Sequence, residues 1–275
     1  MAVTMADISK LRKMSGAGMM DCKEALKEAD NDFDKAMEII RKKGQAVAAK
    51  RSDREASEGC VLAENKDGFA AIVALKCETD FVAKNEQFIA LTKDFLTIAM
   101  DKKPASLDEL LASPMADGRT VQEHITDRIG VTGEKMELGF YEFVTGASTI
   151  SYIHPGNKLA TIAAFNQAGV DYQVARDVAM QIAAMGPVAV TPEEVDQKII
   201  DQEMEIARDK ARQAGKPENL LDRIAEGALQ KYYKENTLLQ QEFVKDSKLT
   251  IDQYLKQQNK ELTVTAFKRV TLNVE

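Results

Sequence analysis

The chain has 275 residues, 44% of them hydrophobic and 29% charged, the balance of an ordinary globular protein and not of a disordered one. Its net charge of -7 argues against general nucleic-acid binding, because phosphate recognition draws on Lys and Arg. No apolar run approaches the ~20 residues that span a bilayer, and Met1–Asp7 lacks the basic and apolar regions of a signal peptide. Three cysteines, Cys22, Cys60 and Cys77, are few, odd in number and not in a CxxC arrangement. They read as buried reduced thiols, and the expected location is a reducing cytoplasm. At roughly 150 residues per domain the length suggests about two domains, or three smaller ones.

Residues 1–53 read as a three-helix module. Asp7 to Met14 forms one helix with Ile8 and Leu11 on its apolar side, and Gly16-Ala17-Gly18 breaks it. Met20 to Ala29 is a second helix and Phe33 to Lys42 a third, with Asp32 as its N-cap and Gly44 as its stop. Ala25, Leu26, Ala29, Phe33, Ala36, Met37 and Ile40 make the small core. The glycine corner resembles that of ubiquitin-associated (UBA-like) domains, an analogy of fold and not of ligand. Met19 and Met20 beside it suit a contact surface, although at least one of them is expected in the core. Residues 41–58 are charged and poor in large apolar side chains, a connecting helix or linker.

A first sheet unit spans residues 54–139. Cys60 to Ala63 and Phe69 to Lys76 flank Glu64-Asn65-Lys66-Asp67-Gly68, whose Asp-Gly signals a hairpin. Phe69, Ala71, Val73 and Leu75 alternate onto one face, and a helix from Asn85 to Met100 covers it. Between strand and helix, Thr79 and Asp80 are helix-capping residues, which puts Phe81 and Val82 on a sharp corner. An aromatic on such a corner either wedges into a partner or tucks into its own core. Lys102 to Gly118 reads as a loop with a short helix, and His124 to Gly130 helps join the halves. A weak internal repeat follows in residues 140–190: Ile150 to Ile153, a Pro155-Gly156-Asn157 turn, Leu159 to Phe165, and a helix from Asp171 to Met185.

Residues 191–235 form a helical hairpin. Thr191-Pro192-Glu193-Glu194 reads as a capping box opening its first helix. Gly215-Lys216-Pro217 turns the corner, and Leu220, Leu221, Ile224, Ala228 and Tyr232 stripe the second helix. Such a hairpin projects and packs on the body or on another subunit. In residues 236–275, Thr250-Ile251-Asp252-Gln253 opens a short helix and Val264 to Val274 is a strand returning to one of the sheets. The fold class is α+β: a three-helix module, a duplicated α+β core with antiparallel sheets, and a projecting hairpin.

Catalytic chemistry finds no support. His124 and His154 have no cysteine at metal-ligand spacing, and neither GxSxG nor HExxH occurs. Neither GxxxxGK[ST] nor GxGxxG is present, so a nucleotide-phosphate site is not expected, and no cofactor is implied.

Glu78-Thr79-Asp80-Phe81-Val82-Ala83-Lys84 resembles the signature of the bacterial elongation factor Ts family. So does Leu11-Arg12-Lys13-Met14-Ser15-Gly16-Ala17-Gly18-Met19-Met20-Asp21-Cys22-Lys23-Glu24-Ala25-Leu26. Ser15 stands where the family commonly has Thr, and Ala74 and Lys76 depart from its usual Glu and small polar residue. The resemblance implies a non-enzymatic guanine-nucleotide exchange factor whose partner is the GTPase elongation factor Tu. It implies that Phe81, flanked by Asp80 and Val82, inserts between helices of the GTPase domain and disturbs its Mg²⁺ site. Arg12, Met19, Met20 and Lys23 would grip that domain. Ile129, Gly130 and His154 would belong to the core contact surface, with Val244 a weaker candidate. Homodimerisation through the hairpin is a further implication. The rival classes are a non-exchange adaptor using the N-terminal module and, more distantly, a redox enzyme using Cys60 and Cys77.

Overall fold

The computed structural model of the chain describes residues 3–273. Three helices come first: α1 (Met5–Ser15), α2 (Met19–Glu28) and α3 (Phe33–Arg51). Thr4 and Asp7 form a capping box at the start of α1, and Gly16 ends it at φ 71°, a left-handed turn that glycine adopts freely. Leu11, Cys22, Ala25, Leu26 and Ala36 close the core between the helices.

The third helix differs from its sequence reading. It does not stop at Gly44 but runs on to Arg51. Gly44 is buried mid-helix, where it faces Gly130 of a later helix. The glycine there serves a close crossing and not a C-cap.

Strands β1 (Glu58–Lys66) and β2 (Phe69–Cys77) form the expected hairpin. Asp67 and Gly68 both have positive φ, 49° and 73°, as a two-residue turn matched to strand twist requires. Four helices follow, α4 (Asp80–Ala83), α5 (Glu86–Lys102), α6 (Leu107–Ala112) and α7 (Val121–Thr132), and then β3 (Met136–Thr145) completes an antiparallel sheet in the order β1-β2-β3. The second half repeats the plan with β4 (Ser148–Ile153), β5 (Leu159–Phe165) and α8 (Tyr172–Met185). Its third strand arrives only near the C-terminus.

Between them lie the hairpin helices α9 (Gln197–Gln213) and α10 (Leu221–Asn236), a small ribbon of β6 (Glu242–Phe243) and β7 (Asp246–Thr250), and α11 (Ile251–Gln258). Strand β8 (Val264–Thr271) then pairs with β5, giving the order β4-β5-β8; Val274 lies outside the described residues. Both central strands carry an irregularity against their third strand, at Ala74/Leu75 and at Ala164/Phe165.

The layers run helix, sheet, sheet, helix. Phe69, Ala71, Val73 and Leu75 pack on Phe88, Phe95, Leu96 and Ala99 of α5. The other face of β2 is buried too: Ala70, Ile72 and Ala74 meet Ala160, Ile162 and Ala164 of β5. A strand covered on both sides reads as a continuous apolar run, and alanines thin enough for close approach fill the space between the sheets. Ala163 and Phe165 pack on Val174, Val178 and Ile182 of α8. No helix among the described residues is long and apolar enough to cross a membrane.

Two details of the hairpin also differ from the sequence reading. Thr191 makes no side-chain cap, and Pro192–Glu194 is a single tight turn. The chain turns extended at Val195, which is buried, so α9 begins instead after Asp196, whose carboxylate accepts from the Lys198 N–H. On α10, Leu221 and Ala225 are the buried positions, while Ala228 and the preceding Leu220 face outward.

Candidate functional site

The β2–α4 corner places Phe81 almost entirely in solvent, at 84% exposure. Exposing a phenylalanine to this extent forgoes the burial energy of one of the largest apolar side chains. Helix α4 is only four residues long, too short to hold its own shape in water. Its frame comes from outside. The Thr79 backbone N–H and hydroxyl donate to the two oxygens of Glu134, at 3.0 and 2.6 Å. The Thr79 hydroxyl oxygen also faces the Val82 N–H at 3.4 Å. One residue earlier, Glu78 accepts from the Lys135 N–H at 2.6 Å and pairs with Arg51 of α3 at 3.3 Å. The Cys77 thiol donates to the Thr79 carbonyl at 3.2 Å.

Asp80 pairs with Lys84 at 2.6 Å. That hydrogen bond outweighs a burial penalty and holds the Asp80 carboxyl below its ordinary range, with a smaller contribution from the Lys158 charge. The corner therefore presents a carboxylate, a free aromatic ring and, at Val82, a half-buried residue packed on the core.

Around this tip the other sequence-derived positions divide. The side chains of Arg12 and Lys23 are exposed and make no hydrogen bond or ion pair among the described residues. Met19 and Met20 are both exposed, at 46% and 64%, which overturns the expectation that one of them is core. Cys22, Ala25 and Leu26 already fill the space beneath that first helical turn.

Ile129 is buried in the core at 6% exposure, so its side chain is no free contact. Gly130 packs against the backbone of Gly44. His154 is exposed, with Nδ1 3.1 Å from the Tyr152 hydroxyl. Its turn abuts the first sheet: the Val61 N–H donates to the Asn157 carbonyl at 2.7 Å, and Lys158 pairs with Glu58 at 2.7 Å. Val244 is exposed at the tip of the β6–β7 ribbon, where the carbonyl oxygen of the buried Gln181 amide accepts from its N–H at 3.0 Å.

Sequence reasoning missed the residues that hold the site. Arg128 reaches from the Gly16 corner, about which its guanidinium lies, to the start of α5, donating to Gln87 at 2.9 Å and to Asn85 at 3.4 Å. Arg51, Glu134 and Lys135 clamp the Phe81 corner from positions far away in sequence, and no local pattern marks them.

All three cysteines are free and buried. Burial pushes the Cys60 thiol up to about 11, and burial together with the nearby Glu134 and Glu58 carboxylates pushes Cys77 up to about 12. Thiols at these values carry almost no thiolate at neutral pH, the form that reacts.

Comparison with known proteins agrees with the corner. The family described as Elongation factor TS matches residues 78–274, beginning at Glu78 itself. The chain is 78% identical to Elongation factor Ts of Porphyromonas gingivalis and 57% identical to Elongation factor Ts of Azobacteroides pseudotrichonymphae, over 275 residues and all of both chains in each case. It is 46% identical to Elongation factor Ts of Bacteroides fragilis over 332 aligned positions, again covering all of both chains. On the family match across most of its length and on these full-length relatives, the chain belongs to the elongation factor Ts family.

Proposed function

We propose that the chain promotes release of GDP from elongation factor Tu, with Phe81 as a wedge entering the partner's GTPase domain. The observation that carries this is the pairing of an 84% exposed ring with a backbone corner clamped by Glu134 and Glu78. A side chain covered by nothing in its own subunit, on a backbone corner held by hydrogen bonds from distant residues, is preorganised for a pocket elsewhere. Inserted between helices of the GTPase, the ring would displace elements that hold Mg²⁺. The diphosphate charge would then be less neutralised, and GDP would bind more weakly.

Arg12, Met19, Met20 and Lys23 would grip a second part of that domain, and His154 a different domain of the partner. Ile129 and Gly130 would act from beneath, by fixing α7 under the contact surface. The module of residues 1–53 and the paired sheets would thus act as two arms of one grip. The hairpin carries an open apolar groove of about 320 Å³ that includes Ile206, Ala207, Ala211, Ile224 and Ala228, the surface through which two copies would associate.

An exchange factor works by binding the nucleotide-free partner better than the nucleotide-bound one, and the coupling is reciprocal. Elongation factor Tu loaded with labelled GDP tests this: the chain should accelerate label release, and excess GDP should weaken the complex by the factor by which the chain weakens GDP. Release at the uncatalysed rate would sink the proposal.

A further inference from the structure

We propose that Glu134 and Glu78 form a positioning clamp that sets the working pose of Phe81 and links it to the N-terminal helices. The inference rests on the wedge reading of Phe81 and extends it to carboxylates that bond this chain's own backbone and side chains. The ring has no packing of its own, and α4 supplies one turn of helix. Its direction is therefore decided by whatever holds Thr79. Both oxygens of Glu134 are committed there, one to the Thr79 N–H at 3.0 Å and one to the hydroxyl at 2.6 Å. Charge-assisted bonds in a fork of this kind specify orientation as well as energy.

Glu134 stands directly after Gly133, the left-handed C-cap of α7. Lys135, its neighbour, gives its backbone N–H to Glu78. Helix α7 crosses α3 at Gly130 and Gly44, and α3 ends on Arg51, which pairs with the same Glu78 carboxylate. The long helix of the N-terminal module thus meets the clamp twice, once through backbone contact and once through charge. A shift of that module on its partner would be transmitted to the corner, because the linkage passes through packed helix backbone and short hydrogen bonds.

The test is a double-mutant cycle read by release of labelled GDP from elongation factor Tu, using the full chain at saturating concentration. Glu134→Ala should slow release about tenfold, the scale on which loss of positioning acts. The half-saturating concentration should move less than about threefold, since the gripping residues are untouched. Glu134→Gln, which keeps one acceptor oxygen for the two Thr79 donors, should restore part of the rate. Adding Glu134→Ala to Phe81→Ala should cost nothing further, because the clamp acts through the ring.

A wild-type rate for Glu134→Ala beside a slow Phe81→Ala overturns the clamp and leaves the wedge standing. Full additivity in the double variant overturns it equally. A wild-type rate for Phe81→Ala removes the wedge itself, a distinguishable failure. Should Glu134→Ala not fold, Glu134→Gln carries the same cycle with the same two overturning outcomes.

Discussion

Gly44 and Gly130 meet backbone to backbone where α3 crosses α7, and the two are not equivalent. A Cβ on Gly130 would stand 2.5 Å from the Gly44 Cα, whereas one on Gly44 would stand 3.4 Å from the Gly130 Cα, an ordinary contact. Alanine is worth about 1 kcal/mol over glycine inside a helix. Gly44→Ala should therefore be neutral or slightly stabilising. Gly130→Ala must force the helices apart and should destabilise by about 1–3 kcal/mol. Urea unfolding of both variants measures the difference, and equal effects would mean that the crossing is looser than its geometry.

That pair also shows where sequence reading ended. A glycine in a charged helical stretch carries the same local signal whether it caps a helix or admits a neighbour; Gly130, 86 positions further along the chain by the numbering, decides which. The Thr191 capping box failed for a similar reason, because burying Val195 outranks one cap hydrogen bond. By contrast, the Asp67-Gly68 turn, the β2 face and the α5 stripe are local patterns, and the structure has them where the residues placed them. The Phe81 corner was legible as a corner. Its exposure was not, because nothing within a few residues distinguishes an aromatic that tucks in from one that points out. The bonds from Glu134 and Arg51 come from sequence-distant elements and leave no periodic trace.

Arg12→Ala should separate grip from release. The side chain is exposed and makes no hydrogen bond or ion pair among the described residues, so unfolding stability should stay within about 0.5 kcal/mol. Association with elongation factor Tu should weaken, while the release rate at saturation stays near wild type. Titrating the chain against the labelled GDP complex reads both quantities, and a lowered plateau would assign Arg12 to the release step.

Asp177 makes stability depend on acid. Burial pushes its carboxyl up, but hydrogen bonds from Lys245 at 2.6 Å, Tyr254 at 2.9 Å and Gln173 at 2.7 Å, with the Lys245 charge, bring it below its ordinary value. A depressed folded value stabilises the fold above the unfolded value of about 3.9, and that contribution is lost as pH falls through the folded value. Asp177→Asn should cost about 1–3 kcal/mol at neutral pH. The gap to wild type should narrow progressively in denaturant titrations as pH is lowered below about 4. A gap that persists unchanged in acid would show that packing, not charge, sets the effect.

The thiols offer a check on the redox class. All three cysteines are free and buried, and Cys60 and Cys77 sit at about 11 and about 12. An aromatic disulfide reagent at neutral pH should label none of them rapidly in the folded chain and all three after unfolding. Rapid labelling of Cys60 or Cys77 in the native state would reopen that class.

The most direct measurement compares wild type and Phe81→Ala in release of labelled GDP from elongation factor Tu, at saturating chain, alongside thermal unfolding of both. Because the ring is 84% exposed, the variant should unfold with the wild type. Its release rate should fall by about tenfold or more, the loss expected of a buried interface anchor. Equal acceleration by the two proteins would contradict the wedge outright.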